Sequence, residues 1–112
     1  MSIRTQITKD FYQAFADGDR GFVEAHITDD FTFSAPPDPY LDRAGYFERC
    51  WPGAGTRQTF DIVRLIEVGD EVIVTYETKH PNASARGRNT EILTFAGDKI
   101  RRAEVYFGWT IG

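Results

Sequence analysis

Glu91 is the residue whose sequence surroundings point most clearly to chemistry. It lies in a predicted strand over 86–95, which a tight turn joins to a second predicted strand over 99–109. Alternation places Glu91 on the same strand face as Leu93, and the next strand contributes Val105. The same two faces also carry Asn89, Phe95, Ala103 and Phe107. If these faces point inward, Glu91 is a carboxyl group buried among apolar side chains.

A buried carboxyl group at this position has two interpretations. Burial disfavours the charged form, so the pKa of Glu91 should rise and make it a neutral donor or a general base near neutral pH. Alternatively, Glu91 is a structural polar group that pairs with Asn89, Arg88 or a tyrosine. Glu77 on the preceding strand faces the same way only in one of two registers. In that register, two carboxyl groups would share a proton and divide the roles of acid and base.

The composition limits the class of protein. The 112 residues predict one domain, 1–112, and 41% hydrophobic residues suffice for a core. A net charge of −4 without a basic block argues against a nucleic-acid surface. No apolar run approaches the ~20 residues of a membrane span. Because no secretory signal is visible, we expect a cytoplasmic protein.

Neither a metal nor a cofactor is expected from the motifs. The sequence has no Gly-rich phosphate loop and no His-Glu helix pair. His26 lies near a predicted helix end, where a histidine usually interacts with the helix C-terminus. Cys50 has no evident cationic neighbour, so we expect a small buried apolar residue and not a nucleophile.

Helices dominate the first half of the predicted structure. Ile3, Ile7, Phe11 and Phe15 recur every four residues and predict an amphipathic helix over 2–17, with Thr, Lys and Asp on its other face. A short second helix follows an Asp19 cap and runs through Ile27. A third helix spans 43–50 behind the Asp42 cap.

Strands dominate the second half. Alternating aromatic residues mark a first strand over 31–35, which the proline-rich stretch 36–39 ends. Four later strands are separated by short Gly, Asp and Asn turns, which is typical of an antiparallel meander. They span 60–67, 71–79, 86–95 and 99–109. Helices followed by hairpins predict an α+β fold.

Several motifs in this order resemble the SnoaL-like group of the nuclear-transport-factor-2-like superfamily, which is related to polyketide cyclases and ketosteroid isomerases. They are Phe15-Ala16-Asp17-Gly18-Asp19, Asp29-Asp30-Phe31-Thr32-Phe33, Cys50-Trp51-Pro52, Arg88-Asn89-Thr90-Glu91, and Gly97-Asp98-Lys99-Ile100 running on to Val105-Tyr106-Phe107-Gly108. The resemblance implies a cone-shaped, strongly bent and mainly antiparallel sheet. Three helices from the N-terminal half would close its open end around a pocket.

The resemblance also allows a comparison of catalytic residues. The aspartate base of the ketosteroid isomerases is matched by Ala35, and Phe11 takes the place of their helix-one tyrosine. Only their second acid has a counterpart, which is Glu91. The histidine of the polyketide cyclases cannot be placed, and Arg88 lies on the face opposite Glu91, so the Asp-Arg-Asp set of epoxide hydrolases cannot be assembled. Fold therefore does not decide function.

The implied pocket would be lined mainly by aromatic residues, although an ordinary core is the alternative for most of them. We expect Trp51 in particular to touch a ligand because it lies where a helix ends beside the mouth. Asp38, in the proline-rich loop, could reach a ligand or be an exposed turn. The predicted ligand-binding residues are Phe15, Phe33, Tyr46, Trp51, Asn89, Leu93, Val105 and Phe107, with Glu91 as the candidate acid or base.

Three functions remain open at this point. The chain is a binder of a small apolar or aromatic molecule, a cofactor-free lyase, isomerase or cyclase that uses Glu91, or an interaction module whose cone its own side chains fill. The outer sheet face, with Ile92, Tyr106 and Trp109, needs cover, so we expect a homodimer through this face. We expect no nucleic-acid or membrane partner.

Overall fold

The computed structural model describes residues 2–111 and contains three α-helices, one short 3₁₀ helix and six strands within that range. The helices are α1 (Ile3–Asp17), α2 (Arg20–His26) and α3 (Arg43–Arg49), and the 3₁₀ helix is Trp51–Gly53. The strands are β1 (Ile27–Ala35), β2 (Asp38–Asp42), β3 (Thr59–Val68), β4 (Glu71–Lys79), β5 (Arg86–Ala96) and β6 (Lys99–Ile111).

All six strands form one open sheet in the order β2-β1-β6-β5-β4-β3. Only the β1–β6 pair is parallel, and every other pair is antiparallel. Register shifts interrupt the β1–β2, β1–β6, β3–β4 and β5–β6 pairs, and such bulges bend and twist a sheet. The predicted α+β class with a bent, mainly antiparallel sheet is confirmed.

The predicted helix boundaries follow from their caps. The Asp19 side chain accepts a hydrogen bond from the Phe22 amide at the start of α2, and Asp42 accepts one from Gly45 at the start of α3. Gly18 ends α1 in the left-handed conformation with φ of 75°, which glycine adopts without strain. The predicted Asp19 and Asp42 caps and the predicted end of the first helix at residue 17 are confirmed.

One element assignment was wrong, and one strand was not predicted. Ile27 was assigned to the second helix, but it starts β1, whose first residues extend the predicted strand by four positions. The proline-rich stretch was predicted to end the first strand, and the sequence analysis did not predict that Asp38–Asp42 pairs with β1 as the edge strand β2. Pro39 is compatible with this strand because an edge strand leaves one row of amides unpaired.

The core lies between the inner sheet face and the helices. Phe11 from α1, Val23 from α2 and Tyr46 from α3 pack against the sheet residues Phe31 and Leu93. The other members of this cluster are Ile7, Ala14, Ile27, Val72, Phe95, Ile100 and Ala103. The helices therefore cover only part of the inner face, and the uncovered part forms the wall of a cavity.

Candidate ligand-binding site

A cavity of about 380 Å³ lies between α1, α3 and the inner face of the sheet. Seven of the nine predicted site residues line it, namely Phe15, Phe33, Tyr46, Asn89, Glu91, Val105 and Phe107. Eleven further residues complete the lining: Phe11, Tyr12, Ala35, Pro37, Asp38, Cys50, Gly53, Gln58, Phe60, Tyr76 and His80. The lining is therefore largely aromatic, with a few polar groups set into it.

Glu91 is the most deeply buried of these polar groups, with 4% of its surface exposed. It pairs with Val74 on one side and Val105 on the other, so apolar side chains flank it. Burial raises the pKa of its carboxyl group to about 7, although Tyr12 and Tyr76 act to lower it. Near neutral pH, a large fraction of the Glu91 carboxyl group is therefore protonated.

Tyr76 holds the Glu91 side chain in place. Its hydroxyl donates a hydrogen bond to Glu91 Oε1 over 3.1 Å, within a buried pair. Register explains the contact, because Val74 and Tyr76 on β4 lie opposite Glu91 and Asn89 on β5. The sequence left this register open, and the structure places Val72, Val74 and Tyr76 on the inner face.

Tyr12 is the residue that the sequence analysis missed. It is 5% exposed, lines the cavity, and its hydroxyl is directed toward the Glu91 carboxyl group, whose pKa it lowers as a hydrogen-bond donor does. The contact does not reach full hydrogen-bond geometry, and the hydroxyl makes no other hydrogen bond within residues 2–111. Burial, reinforced by the Glu91 charge, raises the pKa of Tyr12 and keeps its hydroxyl protonated. A buried donor with a weak hydrogen bond can also donate to another acceptor placed in the cavity.

Phe11, which the resemblance placed at the helix-one tyrosine position, lines the cavity. The adjacent Tyr12, which the sequence analysis did not consider, lines it as well and carries a hydroxyl. The signal was a second buried stripe, since Thr5, Thr8 and Tyr12 recur at spacings of three and four and are all buried. The threonines had been assigned to the solvated face, which is wrong for these two.

Glu77 takes no part in the cavity. It lies on the outer sheet face, where Arg88 Nη2 is 2.6 Å from Glu77 Oε2 and Arg86 Nη1 is 3.6 Å from Glu77 Oε1. The hydrogen bond from Arg88 lowers the pKa of the Glu77 carboxyl group. The possibility of a proton shared between Glu77 and Glu91 is therefore excluded.

Trp51 and Leu93 do not line the cavity, contrary to expectation. The 3₁₀ helix after α3 turns Trp51 behind Phe15, with ring centroids 5.7 Å apart, and Phe47 packs on it at 5.6 Å. Leu93 is fully buried in the core cluster. Trp51 thus supports the aromatic wall from outside, and Leu93 belongs to the packed part of the inner face.

Asp38 brings a second carboxyl group to the cavity. It is the first residue of β2, and its side chain is 19% exposed. Arg49 Nε, in the last turn of α3, donates to Asp38 Oδ1 over 2.6 Å. The neighbouring Cys50 thiol has its pKa raised to about 11, by burial first and then by the Asp38 charge, so it is a poor nucleophile.

The described residues do not form an obvious metal site or membrane span. Among them, no group of three or more His, Cys, Asp or Glu side chains is placed to hold a metal ion. None of their helices is long and apolar enough to cross a membrane.

The sequence model of the SnoaL-like domain matches residues 8–103, so the chain belongs to the SnoaL-like domain family. No curated protein sequence matches the chain.

Solved structures with the same fold include proteins assigned to different functions. A proposed polyketide cyclase from Acidithiobacillus ferrooxidans is 20% identical, with a TM-score of 0.79 over 95% of this chain and 88% of that one. A proposed ketosteroid isomerase from Kribbella flavida is 14% identical, with a TM-score of 0.77 over 96% and 78%. A nuclear-transport-factor-2-like protein of unknown function from Cytophaga hutchinsonii is 16% identical, with a TM-score of 0.75 over 96% and 93%. At these identities the likeness establishes the fold.

Proposed function

We propose that this protein binds a small hydrophobic, ring-containing molecule in its cavity and holds one oxygen acceptor of that molecule between Tyr12 and Glu91. The single observation that carries the proposal is the buried Tyr12 hydroxyl, which makes no hydrogen bond of full geometry within residues 2–111 and is directed toward a carboxyl group with a pKa of about 7. Both groups can donate to the same acceptor. The aromatic walls supply the apolar contact that a ring requires.

The volume of the cavity favours a site that holds a ligand and argues against an interior filled by the protein's own side chains. A space of about 380 Å³ lies within the range of small-molecule sites, and the packed core lies elsewhere on the inner face. This observation counts against an interaction module whose cone is filled by its own side chains.

The binding proposal is tested with 2-acetylnaphthalene, whose ketone oxygen only accepts hydrogen bonds. We expect the protein to bind it at pH 6, and Tyr12→Phe to weaken binding about three- to tenfold, as for the loss of one hydrogen bond. Glu91→Gln retains a donor and should retain the ligand. Calorimetric titration measures all three proteins, with Tyr40→Phe as a control because Tyr40 is 86% exposed. Absence of binding, or a Tyr12→Phe variant that binds as tightly as the wild type, would reject the proposal.

A second function, a cofactor-free lyase, isomerase or cyclase, is favoured by one observation. A carboxyl group with a pKa of about 7 is suited to exchange protons near neutral pH. For such an enzyme, Glu91→Gln abolishes turnover while the ligand still binds, whereas for a binding protein the substitution changes little. The candidate substrates are ketones with an acidic α-hydrogen. Their turnover is measured as exchange of the α-hydrogen for deuterium from the solvent.

The outer sheet face supports a homodimer. Ile66, Tyr106 and Trp109 are 44%, 52% and 65% exposed on it. Two buried polar atoms of the same face, Arg88 Nε and Thr94 Oγ1, lack a hydrogen-bond partner within residues 2–111. We propose that a second copy covers this face, which leaves the cavity on the opposite face open to its ligand.

A further inference from the structure

We propose that Asp38 is a second binding residue of the cavity and accepts a hydrogen bond from a hydroxyl or amine group at the end of the ligand opposite the Tyr12 acceptor. This inference rests on the proposed function and narrows the ligand class to ring compounds with an acceptor at one end and a donor at the other.

Asp38 lies on the side of the cavity that reaches solvent. It lines the same cavity as Tyr12 and Glu91, but from the edge strand β2 and not from the helix or the central strands. Pro37, immediately before it, is exposed and also lines the cavity, so this side of the lining reaches solvent. Asp38 therefore lies at the mouth, whereas Glu91 lies at the buried end.

The backbone around Asp38 is built irregularly. The β1–β2 register shifts between Phe33 and Ala35, and Asp38 pairs with Ala35 directly after the shift. Two residues on, Tyr40 has a positive φ of 60°, and its amide donates to Ser34 Oγ over 3.1 Å. A bulge and a strained residue in one short hairpin are typical of a segment that directs a side chain toward a site.

Arg49 holds the Asp38 side chain through one of its two carboxylate oxygens. Arg49 Nε donates to Oδ1 only, and no hydrogen bond to Oδ2 occurs within the described residues. The contact with Arg49 over 2.6 Å fixes the orientation of the carboxylate. A fixed carboxylate with an unused oxygen at a cavity wall is an acceptor for a ligand donor.

The two carboxyl groups of the cavity thereby have opposite roles. Glu91 is protonated by burial and donates, whereas Asp38 is ion-paired and accepts. The charges of both Asp38 and Glu91 raise the pKa of the Cys50 thiol, so both carboxyl groups lie near it. A ligand that binds both carboxyl groups needs a hydrogen-bond acceptor at its buried end and a donor at the end near the mouth. Such a ligand can bind in only one orientation.

The test compares two ligands that differ only at the mouth end. In 4-acetyl-4′-hydroxybiphenyl the acetyl oxygen can only accept, and the hydroxyl can donate to Asp38. In 4-acetyl-4′-methylbiphenyl a methyl group of similar size replaces the hydroxyl. The corresponding pair 6-acetyl-2-naphthol and 2-acetyl-6-methylnaphthalene provides a shorter span between the two ends. Affinities are measured by calorimetric titration for the wild type, Asp38→Asn and Asp98→Asn, the last being a control in the exposed β5–β6 turn.

We expect the hydroxyl compound of at least one pair to bind about tenfold more tightly than its methyl partner, as for a hydrogen bond to a charged group. This preference should disappear in Asp38→Asn and persist in Asp98→Asn. Equal affinities of hydroxyl and methyl compounds in the wild type, or a preference that survives in Asp38→Asn, overturn the inference while the proposed function stands. Absence of binding by all four compounds overturns the proposed function and this inference with it.

Discussion

Glu91 derives its chemical character from neighbours on three other elements. Val74 and Val105 exclude water from it, and the Tyr76 hydroxyl fixes its position. Tyr12, from α1, directs a second hydroxyl toward it, and this hydroxyl makes no hydrogen bond of full geometry within residues 2–111. A carboxyl group in such surroundings is a hydrogen-bond donor near neutral pH, which is the property on which the proposed function depends.

The raised pKa of Glu91 also predicts how stability depends on pH. The folded protein holds this proton up to pH about 7, whereas an ordinary glutamic acid releases it near 4.5. The free energy of unfolding should therefore fall as pH rises from 4.5 to 7, and the Glu91 contribution is about 3 kcal/mol over this range. Urea unfolding of the wild type and Glu91→Gln between pH 4.5 and 8 measures the difference. If the two proteins lose stability in parallel over this range, Glu91 does not carry the shifted pKa.

At the scale of elements, a bulge near the end of β6 directs two aromatic residues of this strand, Phe107 and Trp109, to opposite faces of the sheet. Phe107 lines the cavity, whereas Trp109, two residues later, lies over the Arg88 guanidinium on the outer face. In a regular strand these two positions would share a face. The register shift opposite Arg88 separates them, with Gly108 between.

Gly108 is the residue that permits this bulge, because a Cβ atom there would collide with the Arg88 carbonyl oxygen. We expect Gly108→Ala to lower the free energy of unfolding by about 1–3 kcal/mol, the usual cost of overpacking. Gly87→Ala is the matched control, since a Cβ at Gly87 meets no atom within 4 Å. Urea denaturation compares both variants with the wild type, and an equally stable Gly108→Ala protein would show that the bulge relaxes freely.

At the scale of the whole molecule, the two faces of the sheet differ in what they carry. Its inner face holds the core and the cavity, and its outer face presents apolar residues among ion pairs such as Arg102 with Glu104. A second copy on the outer face would leave the side of the cavity at Asp38 and Pro37 uncovered. In the proposed dimer, ligand binding and assembly would therefore use opposite faces of the sheet.

The proposed dimer predicts a mass of two chains, and native mass spectrometry measures that mass together with any retained small molecule. We expect Trp109→Asp to give a folded monomer, because the substitution removes a large exposed aromatic side chain and places a carboxylate in the proposed interface. Ile3→Asp is the control, as Ile3 is 62% exposed at the start of α1. A wild-type monomer at micromolar concentration, or a dimeric Trp109→Asp protein, would contradict the proposed interface.

The sequence predicted those parts of the molecule that follow from strict periodicity. Alternation along β5 placed Glu91 and Asn89 on one face, and the four-residue spacing of Ile7, Phe11 and Phe15 identified the core face of α1. The register of β4 was not predictable, because both of its alternating sets contain apolar residues. Only pairing with β5 shows which set faces inward.

Features that depend on tertiary geometry could not be predicted from the sequence. Tyr12 belongs to a second buried stripe of α1, which is visible only when sheet and helix pack together. Trp51 follows α3 in the chain, but the 3₁₀ turn removes it from the cavity. Asp38 looked like a loop residue because prolines surround it, and its place in an edge strand depends on pairing with β1.

The protonation state of Glu91 is the most direct test of the binding account. Carboxyl ¹³C NMR of protein labelled at glutamate, with Glu91→Gln to assign the signal, measures its pKa with and without 2-acetylnaphthalene. We predict a pKa of about 7 in the free protein and a higher pKa in the complex, because the ligand acceptor binds the protonated form. A pKa near 4.5 that does not respond to the ligand would contradict the account.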